Sequence, residues 1–232
     1  MTTNENNIQI FNSIAKTYDK LNHFLSLNID KQWRSKALSK YINNSTVKVL
    51  DIACGTGDFA IKCAQLGARE VIGIDLSPSM LEIAEKKIKN KNLDSIIHVQ
   101  EGDCANLNFD DNTFDIVTIA FGVRNFEDLD KSLKEIHRVL KDNGKIIILE
   151  FTLPRNEFIR TLYNFYINKI LPLIGKLISG DKNAYIYLPT SIGEFLQYED
   201  FTNHLERFGF RDVSYKSMTM GIVCGYYGTS DE

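Results

Sequence analysis

VKVLDIACGTGDFAIK, residues 47–62, is the stretch that decides the fold. An apolar run halts at Asp51, two glycines follow at Gly55 and Gly57, and a helical pattern begins. A strand, a glycine turn and a helix in that order bring bare backbone up to a ligand at a helix N-terminus. Gly55-x-Gly57-x-x-Ala60 fits a dinucleotide fingerprint. The same turn also serves S-adenosylmethionine (SAM), so the turn alone does not choose between them. The plainer reading is a packing turn in any α/β protein.

Outward from this turn the sequence alternates. Strands are expected at Val47–Ala53, Glu70–Asp75, Ile96–Gln100, Phe114–Ala120 and Lys145–Phe151. Helices are expected over about Asp58–Leu66, Pro78–Lys91 and Asp128–Leu140, the second capped by Ser77 with Pro78 as its first residue. Asp142-Asn143-Gly144 is expected to end the third helix and open the fifth strand. The strands are continuous apolar runs, as when helices cover both faces of a parallel sheet. Before this core, residues 8–42 carry apolar positions at helical spacing: Ile10, Phe11, Ile14, Ala15, Tyr18 and Leu21, then Trp33, Ala37, Leu38 and Tyr41. After it, 155–190 is aromatic and partly helical, with a kink expected at Pro172. A helix from Ser191 to Phe208 and a hairpin within FRDVSYKSMTMGIVCGYY close the chain. The expected fold is α/β and doubly wound: a mostly parallel, seven-stranded, Rossmann-like sheet ending in an antiparallel hairpin. Such a hairpin favours a SAM methyltransferase, since dinucleotide enzymes usually continue in parallel. The expected organisation is one domain over 1–232: a helical lid (8–42), a core (47–151), an aromatic insertion (155–190) and a closing helix and hairpin (191–228).

The composition fits an ordinary globular chain: 232 residues, 44% hydrophobic, 25% charged, formal net charge −3. That balance argues against a general nucleic-acid binder. Four scattered cysteines form no CxxC pair, so reduced thiols and a cytoplasmic setting are expected, with no metal. The N-terminus lacks the layout of a signal peptide, and no apolar run has the length to span a membrane.

The chemistry-bearing residues cluster at the expected strand ends. Asp51 closes the first strand and can receive an amino-acid ammonium through ordered contacts. Asp75 closes the second, where an ionised carboxylate accepts two ribose hydroxyls of either NAD or SAM. Asp103 can accept from an adenine amino group while the backbone of Cys104 donates to the ring. Against these stand a helix N-terminal charge at Asp75 and a capping aspartate at Asp103. Cys104 has no histidine near it in sequence and reads as a small buried residue rather than a nucleophile. Gly122, Arg124 and Asn125 follow the fourth strand, where ligands meet an open α/β sheet. An arginine there suits an electrostatic clamp on a substrate oxygen, unless it merely pairs with Glu127 or Asp128. The four histidines read as structural, with His23 nearest the expected site.

Over almost its full length, from Phe11 to Gly228, the sequence resembles the ubiquinone/menaquinone biosynthesis C-methyltransferases, a branch of the class I SAM-dependent methyltransferases. FNSIAKTYDKLNHFLSLNIDKQWR, VLDIACGTGD, GIDLSPSML, DNTFDIVTIAFGVRNF, EIHRVLKDNGKIIILEF, YIYLPTSI and MTMGIVCGYYG carry the resemblance. TIAFGVRN and YDKLN…WR are far more specific than the glycine turn. The resemblance implies that Thr56, Asp75, Asp103 and Cys104 contact SAM, and that Arg124 and Asn125 face a quinol ring. Tyr18 and Asp19 would come from the lid. It implies SAM-dependent methylation of a polyprenyl quinol carbon without a metal, demethylmenaquinol before the benzoquinol precursor of ubiquinone. Transient contact with a membrane surface follows from the prenyl tail, and a homodimer is compatible with it. The sequence departs from the family pattern at Lys141-Asp142-Asn143-Gly144, at Leu196 and at Tyr226, where the family carries Lys-Pro-Gly-Gly, a proline and a histidine. Competing readings are a methyltransferase of another hydrophobic molecule, a nicotinamide oxidoreductase and an inactive SAM-binding scaffold.

Overall fold

The computed structural model describes residues 3–26, 28–42, 46–173 and 183–231. Two helices, α1 (Thr3–Leu25) and α2 (Ile29–Leu38), precede the sheet. Asn28, with φ 61°, separates them. The core alternates β1 (Lys48–Ile52), α3 (Asp58–Gln65), β2 (Glu70–Asp75), α4 (Pro78–Asn90), β3 (Ile97–Glu101), β4 (Phe114–Ala120), α5 (Leu129–Val139) and β5 (Leu140–Phe151). Then come α6 (Glu157–Phe165), a π-turn (Tyr166–Ile170), α7 (Asn183–Glu194), α8 (Glu199–Arg207), β6 (Phe210–Met218) and β7 (Val223–Ser230). The sheet order is β3-β2-β1-β4-β5-β7-β6. The first five strands are parallel; β7 runs antiparallel to both β5 and β6. This is the mostly parallel, seven-stranded sheet with an antiparallel end that the sequence predicts.

Side-chain alternation divides the core between two faces. Val49, Ile116, Ile147 and Leu149 pack with Trp33 and Phe59 on one face. Leu50, Ile52, Val117, Ile119, Ile146 and Ile148 pack with Leu133, Ile136 and Phe201 on the other. Burying both faces is why the central strands read as unbroken apolar runs. A third cluster joins Ile14 and Ala15 of α1 to Met80 of α4 and Leu171, seating the lid helix over the carboxyl edge of the sheet.

Several boundaries differ from the sequence expectation. Helix α5 stops at Val139, and Leu140 is already extended because it pairs with Phe114 and is buried. Asn143-Gly144 therefore lies in an irregularity within β5 rather than before it. The expected helix Ser191–Phe208 is two helices, parted at Phe195–Tyr198, with Tyr198 at φ 53°. Tertiary bonding overrides helix propensity there: the Tyr198 hydroxyl donates to Leu153 O at 2.8 Å, and its N–H donates to Tyr226 Oη at 2.9 Å. Tyr226, where the family pattern carries histidine, is fully buried, packs in the core and accepts that bond. The kink expected at Pro172 takes the form of the π-turn, with Leu171 N–H donating to Tyr166 O. Residues 174–182 of the expected aromatic insertion lie outside the described residues.

Candidate active site

At the carboxyl edge, β1 and β4 diverge from ideal geometry next to each other. Ala53 and Phe121 hold φ of 51° and 60° although neither is glycine, a strain that concentrates at functional sites. Gly122 is required by crowding: a Cβ there would lie 2.7 Å from the Ala53 Cβ. The two glycines of the opening motif have different duties. A Cβ on Gly57 would press on Ala84 of α4 at 3.2 Å, so Gly57 seats a helix. Around Gly55, with φ 53°, nothing lies within 4 Å of such a Cβ. Gly55 is the bare backbone that faces open space.

That space is a cavity of about 310 Å³ bordered by Gly55, Asp75, Asp103, Cys104, Phe121 and Asn125, with Phe11 and Tyr18 of α1 as its roof. Asp75 accepts from Gly55 N at 2.8 Å through one oxygen and from Ser77 N at 2.9 Å through the other. With the Leu76 amide also contributing, the four lone-pair sites of the carboxylate still leave room for a further donor. Burial raises its pKa, against the pull of these amides. Asp103 Oδ1 accepts from Ala105 N at 2.9 Å. The Cys104 thiol, pushed up to about 12 by burial and set 3.2 Å from Ser132 Oγ, is no nucleophile.

Asp51 lies beneath the turn, fully buried. Its Oδ1 accepts from Thr118 Oγ1 at 2.7 Å, while Oδ2 is buried without a hydrogen bond. Burial lifts its carboxyl to about 7. Thr56, Asp51 and Gly57 are not lining residues of the cavity. The Thr56 hydroxyl is turned to the lid, donating to Asp19 Oδ1 at 2.5 Å and accepting from Lys87 Nζ at 3.2 Å. Asp19 is thus a latch residue between α1 and the glycine turn.

A second cavity of about 240 Å³ adjoins the first, and Phe11, Tyr18 and Phe121 border both. Its walls are aromatic and aliphatic: Trp33, Phe151, Tyr163, Tyr166, Ile167 and Leu171. Phe121 and Phe151 stack at 4.5 Å between ring centroids. Tyr18 is hydrogen-bonded by the Asn22 side chain, and its pKa is raised by burial against the opposing charge of Arg124. Arg124 lines this second cavity, whereas Asn125 lines the first. The pair expected to act together is therefore split between two adjoining spaces. Arg124 pairs with neither Glu127 nor Asp128. Its Nη1 donates to Glu150 Oε1 at 2.6 Å, and Glu150 is completely buried. Sequence reasoning missed Glu150; an acid inside the apolar run IIILEF is the only hint of it.

Among the described residues, one group has the ligand types for a metal: His23, Asp30 and Asp58. Its carboxylates are already compensated, Asp30 by Arg34 at 2.5 Å and Asp58 by Lys87 at 2.5 Å. His137 and His204 are structural, paired with Asp231 and Asp130. No helix among the described residues is long and apolar enough to cross a membrane.

The residues fit SAM at the first cavity: an open glycine backbone, an acid with spare lone pairs at the end of β2, and a buried orphan carboxylate oxygen below. A model of the ubiE/COQ5 methyltransferase family matches residues 1–230. Demethylmenaquinone methyltransferase of Bacteroides fragilis is 43% identical over 222 residues, covering 95% of this chain and 91% of its own. The ubiquinone/menaquinone biosynthesis C-methyltransferase UbiE of Citrifermentans bemidjiense is 44% identical over 222 residues, covering 95% and 94%. A SAM-dependent methyltransferase from Thermotoga maritima shares the fold, with a TM-score of 0.65 at 20% identity over 96% of this chain and 99% of that one.

Proposed function

Because the chain belongs to the ubiE/COQ5 methyltransferase family, we propose that its paired cavities methylate a ring carbon of a polyprenyl quinol, with demethylmenaquinol as the preferred acceptor and the benzoquinol precursor of ubiquinone as the second. The observation that carries this reading is the shared wall. A cavity edged by Gly55, Asp75 and Asp103, which suit SAM, meets a cavity walled by Trp33, Phe151 and Tyr163, which suit a flat, greasy ring, with Phe11, Tyr18 and Phe121 between them. The SAM-dependent class removes the nicotinamide alternative.

When bound, SAM supplies a methyl group activated by a sulfonium charge. Gly55, Asp75, Asp103 and the Cys104 backbone would hold it, with Asp51 reaching the ammonium through ordered contacts. The protein's own task is to make a neutral ring carbon nucleophilic. A quinol that loses a hydroxyl proton becomes electron-rich at the adjacent carbon. Arg124 is the cation on the aromatic cavity that can steady the resulting oxygen. Asp30 also borders this cavity but is a poor base. Despite the opposing effect of burial, Ser26, Arg34 and His23 hold its carboxyl below the usual range. The proton therefore passes to water. Phe121, Phe151 and Trp33 orient the ring and exclude bulk solvent.

The prenyl tail has a matching surface. Tyr163, Tyr166, Ile167 and Leu171 face the second cavity, while Phe158, Leu162, Phe165 and Leu173 are 70%, 53%, 60% and 65% exposed. An apolar outer stripe backed by a tail-lining inner face supports transient contact with a membrane surface. The kinetic test of the site is Arg124→Ala. Loss of turnover with unchanged SAM affinity supports the assignment, and unchanged turnover rejects it.

A further inference from the structure

Glu150 stands near the end of β5 with no exposed surface. A buried carboxylate costs several kcal/mol unless its charge and lone pairs are met. Here they are met almost entirely by one residue. Oε1 accepts from Arg124 Nη1 at 2.6 Å and from Phe151 N at 2.8 Å, and Oε2 accepts from Arg124 N at 3.3 Å. The carboxylate therefore grips both the backbone and the guanidinium of the same arginine.

The rest of the guanidinium is held as firmly. Nη1 also donates to Phe121 O at 2.7 Å, and Nε donates to Ser191 Oγ of α7 at 3.2 Å. The Phe151 ring lies 5.7 Å from the guanidinium carbon, giving a cation–π contact. Three elements thus hold the Nε and Nη1 corners of a planar group. Among the described residues no acceptor meets Nη2, and Arg124 borders the aromatic cavity.

We propose that Glu150 is a positioning residue for methyl transfer: it orients Arg124 so that Nη2 meets the acceptor's hydroxyl oxygen, and its charge limits how strongly that oxygen is stabilised. This rests on the reading that Arg124 serves the quinol. A guanidinium with a carboxylate at hydrogen-bond distance directs a donor at the oxygen without the full field of an isolated cation. The balance matters, because an oxyanion stabilised too strongly before transfer is a weaker nucleophile at carbon. The titratable groups coupled to the pair from other elements are Tyr18 on α1, Tyr163 on α6 and Tyr226 on β7, while burial raises the Glu150 carboxyl itself against the pull of Arg124. Burial raises the three tyrosines, which stay neutral around pH 7, so the charge balance belongs to Glu150 and Arg124.

Glu150→Gln keeps the shape and removes the charge; Glu150→Asp keeps the charge and withdraws it. Each is compared with Arg124→Gln for turnover, quinol KM, SAM Kd and the pH profile of kcat. The expected result for E150Q is a fall in kcat of about ten- to a hundred-fold with SAM Kd within about two-fold. The acidic limb of its pH profile moves to lower pH, because an uncompensated guanidinium acidifies the hydroxyl more. E150D is expected to lose kcat with that limb in place. A merely structural role would leave the limb unmoved in both variants. If R124Q abolishes turnover while folded E150Q matches the wild type in kcat and pH profile, the role of Glu150 is overturned and that of Arg124 stands. If R124Q turns over normally, the site reading itself fails. Should E150Q not fold, an E150D variant with unchanged kcat overturns the proposal.

Discussion

Asp19 of the first helix and Lys87 of α4 meet at 2.6 Å beside the glycine turn. Thr56 of the glycine turn donates to the same carboxylate at 2.5 Å. Further along α1, Asn12 Oδ1 accepts from Ser77 Oγ at 2.6 Å. Two polar clips thus hold the lid helix down over the donor pocket. Lys87 also compensates Asp58 at 2.5 Å, so its loss takes a cation from two carboxylates, of which Asp58 keeps Arg34 at 3.9 Å. We predict that Lys87→Met speeds SAM dissociation by about ten-fold in stopped-flow measurements, for a cost of about 1–2 kcal/mol in the partly buried pair. High salt should narrow the difference, because the cluster is partly solvated. An unchanged dissociation rate would mean that the clip does not govern release.

Asp51 gives a prediction with a definite sign. Its folded-state carboxyl titrates near 7, whereas an exposed aspartate titrates near 4. Between those values the folded protein keeps a proton that the unfolded chain has lost. Its contribution to stability is therefore full below about pH 4 and is lost as pH rises through about 7. Asp51→Asn removes this penalty. In urea unfolding of the ligand-free protein, its advantage over the wild type should be small at pH 4.5 and approach ~4 kcal/mol, as an upper figure, at pH 8. A difference independent of pH would contradict the buried, orphaned carboxylate. The same variant should bind SAM more weakly, since the ammonium loses a charge partner.

Tyr226 tests the separation of core from site. Its hydroxyl accepts from Tyr198 N, and its ring packs edge-on against Phe201 at 4.9 Å between centroids. Tyr226→Phe strands a buried N–H and should cost about 1–3 kcal/mol in chemical denaturation. Quinol KM should stay within about two-fold of wild type. A large rise in KM with unchanged stability would return this position to the substrate.

The exposed stripe on α6 separates binding to a surface from chemistry. Phe158, Leu162 and Phe165 project outward, so replacing all three by serine removes little core packing. The triple variant should lose most of its co-sedimentation with anionic vesicles. Its turnover of a short-tailed quinol in solution should be unchanged. Equal sedimentation of variant and wild type would place membrane contact elsewhere.

Much of the site was legible because local chemistry announces it. Gly55, Asp75, Asp103 and Cys104 all border the first cavity, each at or just past the carboxyl end of a strand. Residues whose roles depend on distant partners were less legible. Thr56 sits in the expected loop, but its hydroxyl answers to Asp19, 37 positions away in sequence. Arg124 was expected to have neighbouring acids as rivals for its charge, yet its partner lies 26 positions on in an apolar strand. The break at Tyr198 is hidden from the sequence for the same reason. Its bonds to Leu153 and Tyr226 are tertiary and oppose a helical pattern that is locally sound.

The most direct test of quinol methylation is to incubate the protein with methyl-labelled SAM and chemically reduced demethylmenaquinone in detergent, beside the benzoquinol analogue, and to locate the label by mass spectrometry. The account predicts label on a ring carbon of the naphthoquinol product, a slower reaction with the benzoquinol, and none with Arg124→Ala. SAM bound normally but no label in either quinol, or label on a hydroxyl oxygen, would contradict it.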